Sequence, residues 1–160
     1  MTAHQQGSET VFTIRPMVSD EADYLLALSD AYLAGLYPAE SCHLVSPVQL
    51  RKSALVFLGA FCDEDCVGCA ALMDGHRTGY AEVKRLFVAE AFRGRGCASQ
   101  LMQGLEDAAR RMNLSYLQLE TGIYQPASHA LYLSLGYRRI PPFGSYSDDP
   151  FSLFYEKQLF

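Results

Sequence analysis

The segment FRGRGCAS, Phe92 to Ser99, sets two arginines and two glycines at the point where an amphipathic helix begins. A helix N-terminus carries roughly half a positive charge and several amides without partners, so carboxylates normally gather there. No carboxylate occurs between Phe92 and Met102, and Arg93 and Arg95 add further positive charge. Gly94 and Gly96 allow the close backbone approach and unusual dihedrals of a phosphate-cradling nest. The pattern suits a compact polyanion held on the helix start. Its alternatives are a plain glycine turn with solvated arginines, or a dinucleotide fingerprint, since Gly94 to Ser99 scans as G-x-G-x-x-S with Glu120 as a ribose-binding acid. Against the fingerprint, Ala89 to Arg93 separate the preceding strand from the glycines and several strands come earlier.

Other residues have side chains suited to proton transfer. Glu82 lies on a strand-like run and Glu120 ends another, and both side chains are carboxylates that can exchange a proton. Each is also the kind of residue that pairs with a neighbouring cation. Tyr132, by its spacing, packs the helix onto the sheet. His129 could face a cleft or solvent. Cys97, at the helix start, is placed where a thiol pKa can be lowered. Cys62, Cys66 and Cys69 with Cys42 or His43 can be drawn as a zinc set, but on regular strands Cys66 and Cys69 would face opposite sides, so small core residues and no metal are expected.

These groups need elements to hold them. TVFTIRP reads as a first strand, followed by a helix capped by Ser19 with Tyr24, Leu25, Leu28, Ala31 and Tyr32 on one side. SALVFLGAFC and CVGCAALM flank Asp63-Glu64-Asp65 as an antiparallel hairpin. YAEVKRLFV predicts a strand with Ala81, Val83, Arg85 and Phe87 on one face and Glu82, Lys84, Leu86 and Val88 on the other. Ala98, Leu101, Met102, Leu105, Ala109 and Met112 recur at helical spacing. SYLQLE is a short strand, Pro126 to Leu135 a helix closed by Gly136, and GYRRI and FSLFYEKQL are final strands. The order β-α-β-β-β-α-β-α-β-β predicts a mixed α/β or α+β fold, read as one domain over residues 1–160.

Composition narrows the function classes. At 160 residues and 49% hydrophobic content, the chain can bury a single core. The opening MTAHQQGSET lacks the pattern of an export signal, and the longest apolar run, Ala54 to Cys62, is about half of the roughly 20 residues of a membrane span. Five scattered cysteines suggest a reducing cytoplasm rather than a disulfide framework. The net charge is −5, yet cations outnumber carboxylates from Tyr80 to Met112. That basic patch is too small for nucleic acid and suits a small polyanion.

Arg93-Gly94-Arg95-Gly96-Cys97-Ala98 resembles the Q/R-x-x-G-x-G/A pyrophosphate motif of the GNAT superfamily of N-acetyltransferases. AEVKRLFVAEAFRGRGCASQLM resembles that family's fourth strand, loop and helix, and PASHALYLSLGYRRI its later A-x-x-LY-x-x-x-G-F/Y segment. The likeness covers Ala81 to Ile140, and the tail resembles small bacterial members. It implies a mostly antiparallel sheet flanked by helices, with one parallel strand pair splayed around acetyl-CoA. It also implies that the backbone of Leu86, Phe87 and Val88 pairs with pantetheine, and that Arg93, Gly94, Arg95, Gly96, Cys97, Ala98 and Ser99 hold the pyrophosphate. Gln125 stands where many members have a cofactor-binding asparagine.

The resemblance further implies direct attack of a primary amine on the thioester. Glu82 stands at the position of a general-base glutamate, with Glu120 in reserve, and Tyr132 matches the tyrosine that protonates the CoA thiolate. Acceptor contacts are expected from Tyr37, Ser41, His43 and Tyr146, which could equally form turns or pack. The acceptor is a small molecule or peptide, and a homodimer is common in the family. A function of a different class is a non-catalytic acyl-CoA-binding module, which needs the loop but neither Glu82 nor Tyr132.

Overall fold

The computed structural model describes residues 9–18 and 20–160, so the expected Ser19 cap lies outside the described residues. The elements run β1 (Thr13–Pro16), α1 (Asp23–Ala34), α2 (Pro47–Ser53), β2 (Val56–Cys62), β3 (Asp65–Asp74), β4 (Tyr80–Val88), α3 (Cys97–Arg111), β5 (Tyr116–Gly122), α4 (Pro126–Ser134), β6 (Arg138–Ile140) and β7 (Ser152–Gln158). The seven strands form one sheet in the order β1-β2-β3-β4-β5-β7-β6, and every pair is antiparallel except β4 with β5. This is the expected mixed fold with its single parallel pair.

Both faces of the sheet are covered. Leu101, Met102, Leu105 and Ala109 of α3 pack on one face with Tyr132 and Tyr137, while Leu25 and Leu26 of α1 and Leu50 of α2 pack on the other with Phe61, Cys69 and Ala71. The α2 helix was not expected from the sequence, although its signal is there: Ser46 accepts from the Gln49 amide at 3.1 Å and Pro47 occupies the first turn. Among the described residues no helix is long and apolar enough to cross a membrane.

Two faces differ from the sequence reading. The buried stripe of α1 is Leu25, Leu26 and Ser29, continued by Ala22 at its N-cap, whereas Tyr24, Leu28 and Tyr32 are exposed. The tyrosines misled because each serves at its hydroxyl or ring edge: Tyr24 donates to the Cys66 carbonyl, and Tyr32 borders a cleft. In β4, Cys69 faces Phe87 but Ala71 faces Lys84, so Arg85 and Leu86 together oppose one residue of β3. This bulge reverses the alternation. Ala81, Val83, Leu86 and Val88 therefore pack toward α3, while Phe87 packs toward α1.

A second bulge, where Ala60 opposes Gly68 but Phe61 opposes Cys66, brings Cys66 and Cys69 into the same core cluster instead of onto opposite faces. Their neighbours are apolar side chains and backbone carbonyls, with Cys66 Sγ donating to Gly68 and Cys69 Sγ to Arg85. Glu106 on α3 lies outside the predicted apolar stripe yet is buried, against Lys157 and, at 3.7 Å, Arg110.

The α3 seam carries much of the packing that keeps the helix start in place. Leu105 is fully buried on it. We expect Leu105→Ala to lower unfolding free energy by about 3 kcal/mol in urea titrations, through lost transfer energy and a residual cavity.

Candidate functional site

Beyond β4 the chain makes a short 3-10 turn at Glu90–Phe92 and enters α3 through Gly94 (φ 74°) and Gly96 (φ 81°). Both need left-handed backbone that side chains rarely adopt, and the space beside each is open. Among the described residues no side chain caps α3, and its first turn holds no acid. The first intrahelical bond runs from Gln100 N–H to Gly96 O, which leaves the amides of Cys97, Ala98 and Ser99 without intrahelical acceptors. The helix start is thus glycine-entered and uncapped, with unpaired amides.

The arginines divide their work. Arg93 Nε donates to the Val88 carbonyl at 2.9 Å, with its guanidinium 5.3 Å from the Phe87 ring and 5.5 Å from the Tyr32 ring. It lines the cleft and ties the loop to β4 and α1. Arg95 turns instead to Thr10 Oγ1 at 3.1 Å and does not line the cleft. The Cys97 thiol is buried, and burial pushes it up to about 11, the reverse of a lowered, reactive thiol.

β4 and β5 pair only from Tyr80↔Tyr116 to Glu82↔Gln118. Past that point they diverge and open two joined compartments. The outer one, about 570 Å³, lies between Tyr32 of α1, the Leu86–Val88 stretch, the Arg93–Ser99 loop and the start of α4. The inner one, about 100 Å³, is bordered by Lys84, Arg85, Glu120, Tyr132, Ser41 and His43. Ser29, Leu33, Leu86, Gln125 and Ser128 border both and mark the junction.

Charge in the inner compartment is unevenly compensated. Lys84 pairs with Glu82 at 3.0 Å, Arg85 with Asp30 at 2.6 Å, and His43 lies 4.0 Å from Asp149. Asp149 is held below its ordinary pKa, first by the Phe151 amide and then by the Ser41 hydroxyl. Among the described residues Glu120 has only a hydroxyl partner, Ser152 Oγ at 2.8 Å, and burial raises its pKa above the usual carboxylate range. The Tyr132 hydroxyl is pushed strongly upward by burial and by the charge of Glu120, so it stays a proton donor.

Glu82 has the cation partner that was one of its two sequence readings. Its carboxylate accepts from Tyr146 at 2.5 Å as well as from Lys84, and it borders neither compartment. Lys84 in turn donates to the Tyr146 hydroxyl and to the His43 carbonyl, and the His43 ring stands edge-on to Tyr146. Tyr146 therefore belongs to this polar cluster and to a third cavity of about 380 Å³ beyond it, rather than to the inner compartment.

Tyr37 reaches the inner wall, where its hydroxyl accepts from the Tyr124 amide at 3.0 Å and donates to Gln125 Oε1 at 3.4 Å. Gln125 Oε1 also accepts from the Gly122 amide at 3.3 Å, which leaves the Gln125 amide hydrogens for the cleft. His129 is committed: its Nε2–H donates to the Gly122 carbonyl and its Nδ1 accepts from Tyr155, both at 2.9 Å. Sequence reasoning missed Ser29 and Leu33, although a serine one turn from Leu25 and Leu26 on a helix was a readable sign of a polar group facing inward.

Residues 21–137 match the sequence model of the Acetyltransferase (GNAT) family. The chain is 44% identical over 142 residues to an "IAA acetyltransferase" of Azospirillum brasilense, covering 89% of this chain and 93% of that protein. It is also similar to a solved acyl-CoA N-acyltransferase structure from Klebsiella pneumoniae, with TM-score 0.79, 31% identity, and 94% and 99% coverage. An acetyltransferase from Salmonella typhimurium solved with acetyl-CoA shares the fold at TM-score 0.67 and 22% identity, with 92% and 94% coverage.

The helix start can be tested by charge. Gly96→Asp fits the open space, and Asp tolerates left-handed backbone better than most residues, so folding should survive. Its carboxylate would compete with a diphosphate for the α3 amides. Calorimetric titration with coenzyme A should show a Kd raised at least about tenfold with little change in Tm.

Proposed function

The chain belongs to the GNAT acetyltransferase family, and from that premise we propose that it moves acetyl from acetyl-CoA to a primary amine of a small molecule or peptide, with Glu120 as the proton acceptor. Acetyl-CoA is the cosubstrate. The observation that carries the amine reading is the carboxylate of the inner compartment: Lys84 and Arg85 on that wall each have their own acid, whereas among the described residues Glu120 has only Ser152. Such a site favours an ammonium on arrival and, with a carboxyl pKa already raised, accepts a proton as the amine becomes nucleophilic.

The arrangement supports attack within a ternary complex. The diphosphate rests on the α3 amides, and pantetheine follows the open edge of Leu86–Val88. The thioester then lies at the junction, near the Gln125 amide and the backbone of Leu86, where donors can stabilise the developing oxyanion. The amine in the inner compartment attacks the carbonyl carbon and passes its proton to Glu120, directly or through water. The C–S bond breaks and the CoA thiolate takes a proton from Tyr132, which borders the same compartment.

Glu82 receives a supporting part, holding Lys84 and Tyr146 at the far wall. Tyr37, Ser41 and His43 are the acceptor-side lining. The proposal includes a cytoplasmic location, which the free thiols suit, and one acetyltransferase domain over the chain, which the continuous seven-stranded sheet suits.

The test is a thiol-release assay across an amine panel. Glu120→Gln should lower kcat by about 100-fold or more, while Glu82→Gln should cost less than about tenfold. In the parent protein kcat/KM should rise with pH through the raised Glu120 pKa, because only the deprotonated carboxylate accepts the proton, and this limb should vanish in Glu120→Gln. Full activity in that variant would transfer the role of base elsewhere.

A further inference from the structure

Arg85 combines three unusual features at one position. Its backbone is left-handed at φ 61°, in a strand and without being glycine. Its side chain is 1% exposed, and its guanidinium spans to α1, with Nη1 2.6 Å from Asp30 Oδ1 and Nη2 3.0 Å from the Leu26 carbonyl. It is half of the β4 bulge, three residues past the last pairing of β4 with β5. A left-handed bulge and a buried charge are both unfavourable alone, and an apolar residue on a regular strand would fill the space without either.

What the arrangement achieves is a fixed span between two walls. Leu26 and Asp30 flank Ser29 within one turn of α1, and Leu86 follows Arg85 directly in β4. Ser29 and Leu86 are two of the residues that border both compartments. The guanidinium thus braces the helix against the strand immediately behind the junction. We propose that Arg85 is a positioning residue for the pantetheine arm of acetyl-CoA: its grip on α1 sets the cleft width at the junction where the thioester must lie. The role rests on acetyl-CoA as cosubstrate and is independent of the acceptor and of which carboxylate is the base.

Two variants separate positioning from general stability. Asp30→Ala removes the ionic half of the brace at a side chain that is 49% exposed, and so leaves the core intact. Arg85→Gly keeps the bulge conformation and removes the whole brace. The readouts are the KM for acetyl-CoA and the Kd for 3′-phospho-ADP, which carries the diphosphate but no pantetheine. In each variant the KM should rise about tenfold, while 3′-phospho-ADP binds within about twofold of the parent. The double variant should be no worse than Arg85→Gly, because the two residues act through one contact. Equal weakening of both ligands, an unchanged KM in Asp30→Ala, or additive losses would overturn the assignment. Asp30→Ala decides the matter should Arg85→Gly fail to fold. If Glu120→Gln stays active while these variants behave as expected, only the choice of base fails.

Discussion

The parting of β4 from β5 after the Glu82–Gln118 pair is the constraint from which the rest of the site follows. Neighbouring strands normally satisfy each other's backbone groups, and interrupting a central pair leaves donors and acceptors that must find partners. Here the interruption coincides with the extra residue of the β4 bulge, which turns the strand so that Leu86 and Phe87 exchange the faces that strict alternation would assign. A ligand with amides of its own, as pantetheine has, can take the place of the missing strand.

The cleft produced in this way has opposite electrostatic ends. At the outer end the glycine-entered α3 presents free amides, a positive dipole end and Arg93, with no acid in its first turn. At the inner end sits Glu120, whose partner among the described residues is the Ser152 hydroxyl. A coenzyme with an anionic head and a neutral thioester arm matches that polarity along its length. The inner compartment is small and polar, whereas the outer one is larger and lined by Phe87 and Leu131.

Much of this could be read from the residues in order. The α3 seam, the hairpin around Asp63 and Glu64, the proline-started α4 and the charge at FRGRGCAS each depend on local spacing, and each forms as the spacing predicts. What the spacing did not reveal depends on register. A single extra residue in β4 or β3 reverses every later side chain, and nothing in KRLFV or CVGC marks where it falls. The positions of Arg85, Phe87, Cys66 and Cys69 were misjudged for that reason. Glu82 and Glu120 looked alike as strand carboxylates. Their difference comes from Lys84 and Tyr146 on one side and Ser152 on the other, and the latter two arrive from loops and strands far along the chain.

The central claim is that coenzyme A lies in the β4–β5 opening with its diphosphate on the first turn of α3. Amide hydrogen exchange, followed with and without saturating coenzyme A, addresses it most directly. The account predicts slowed exchange at Cys97, Ala98 and Ser99 and along Leu86–Val88, with no change in the apolar groove near Leu55 and Met112 on the other side of the molecule. Protection confined to that groove, or an α3 start whose amides exchange equally fast in both states, would contradict it.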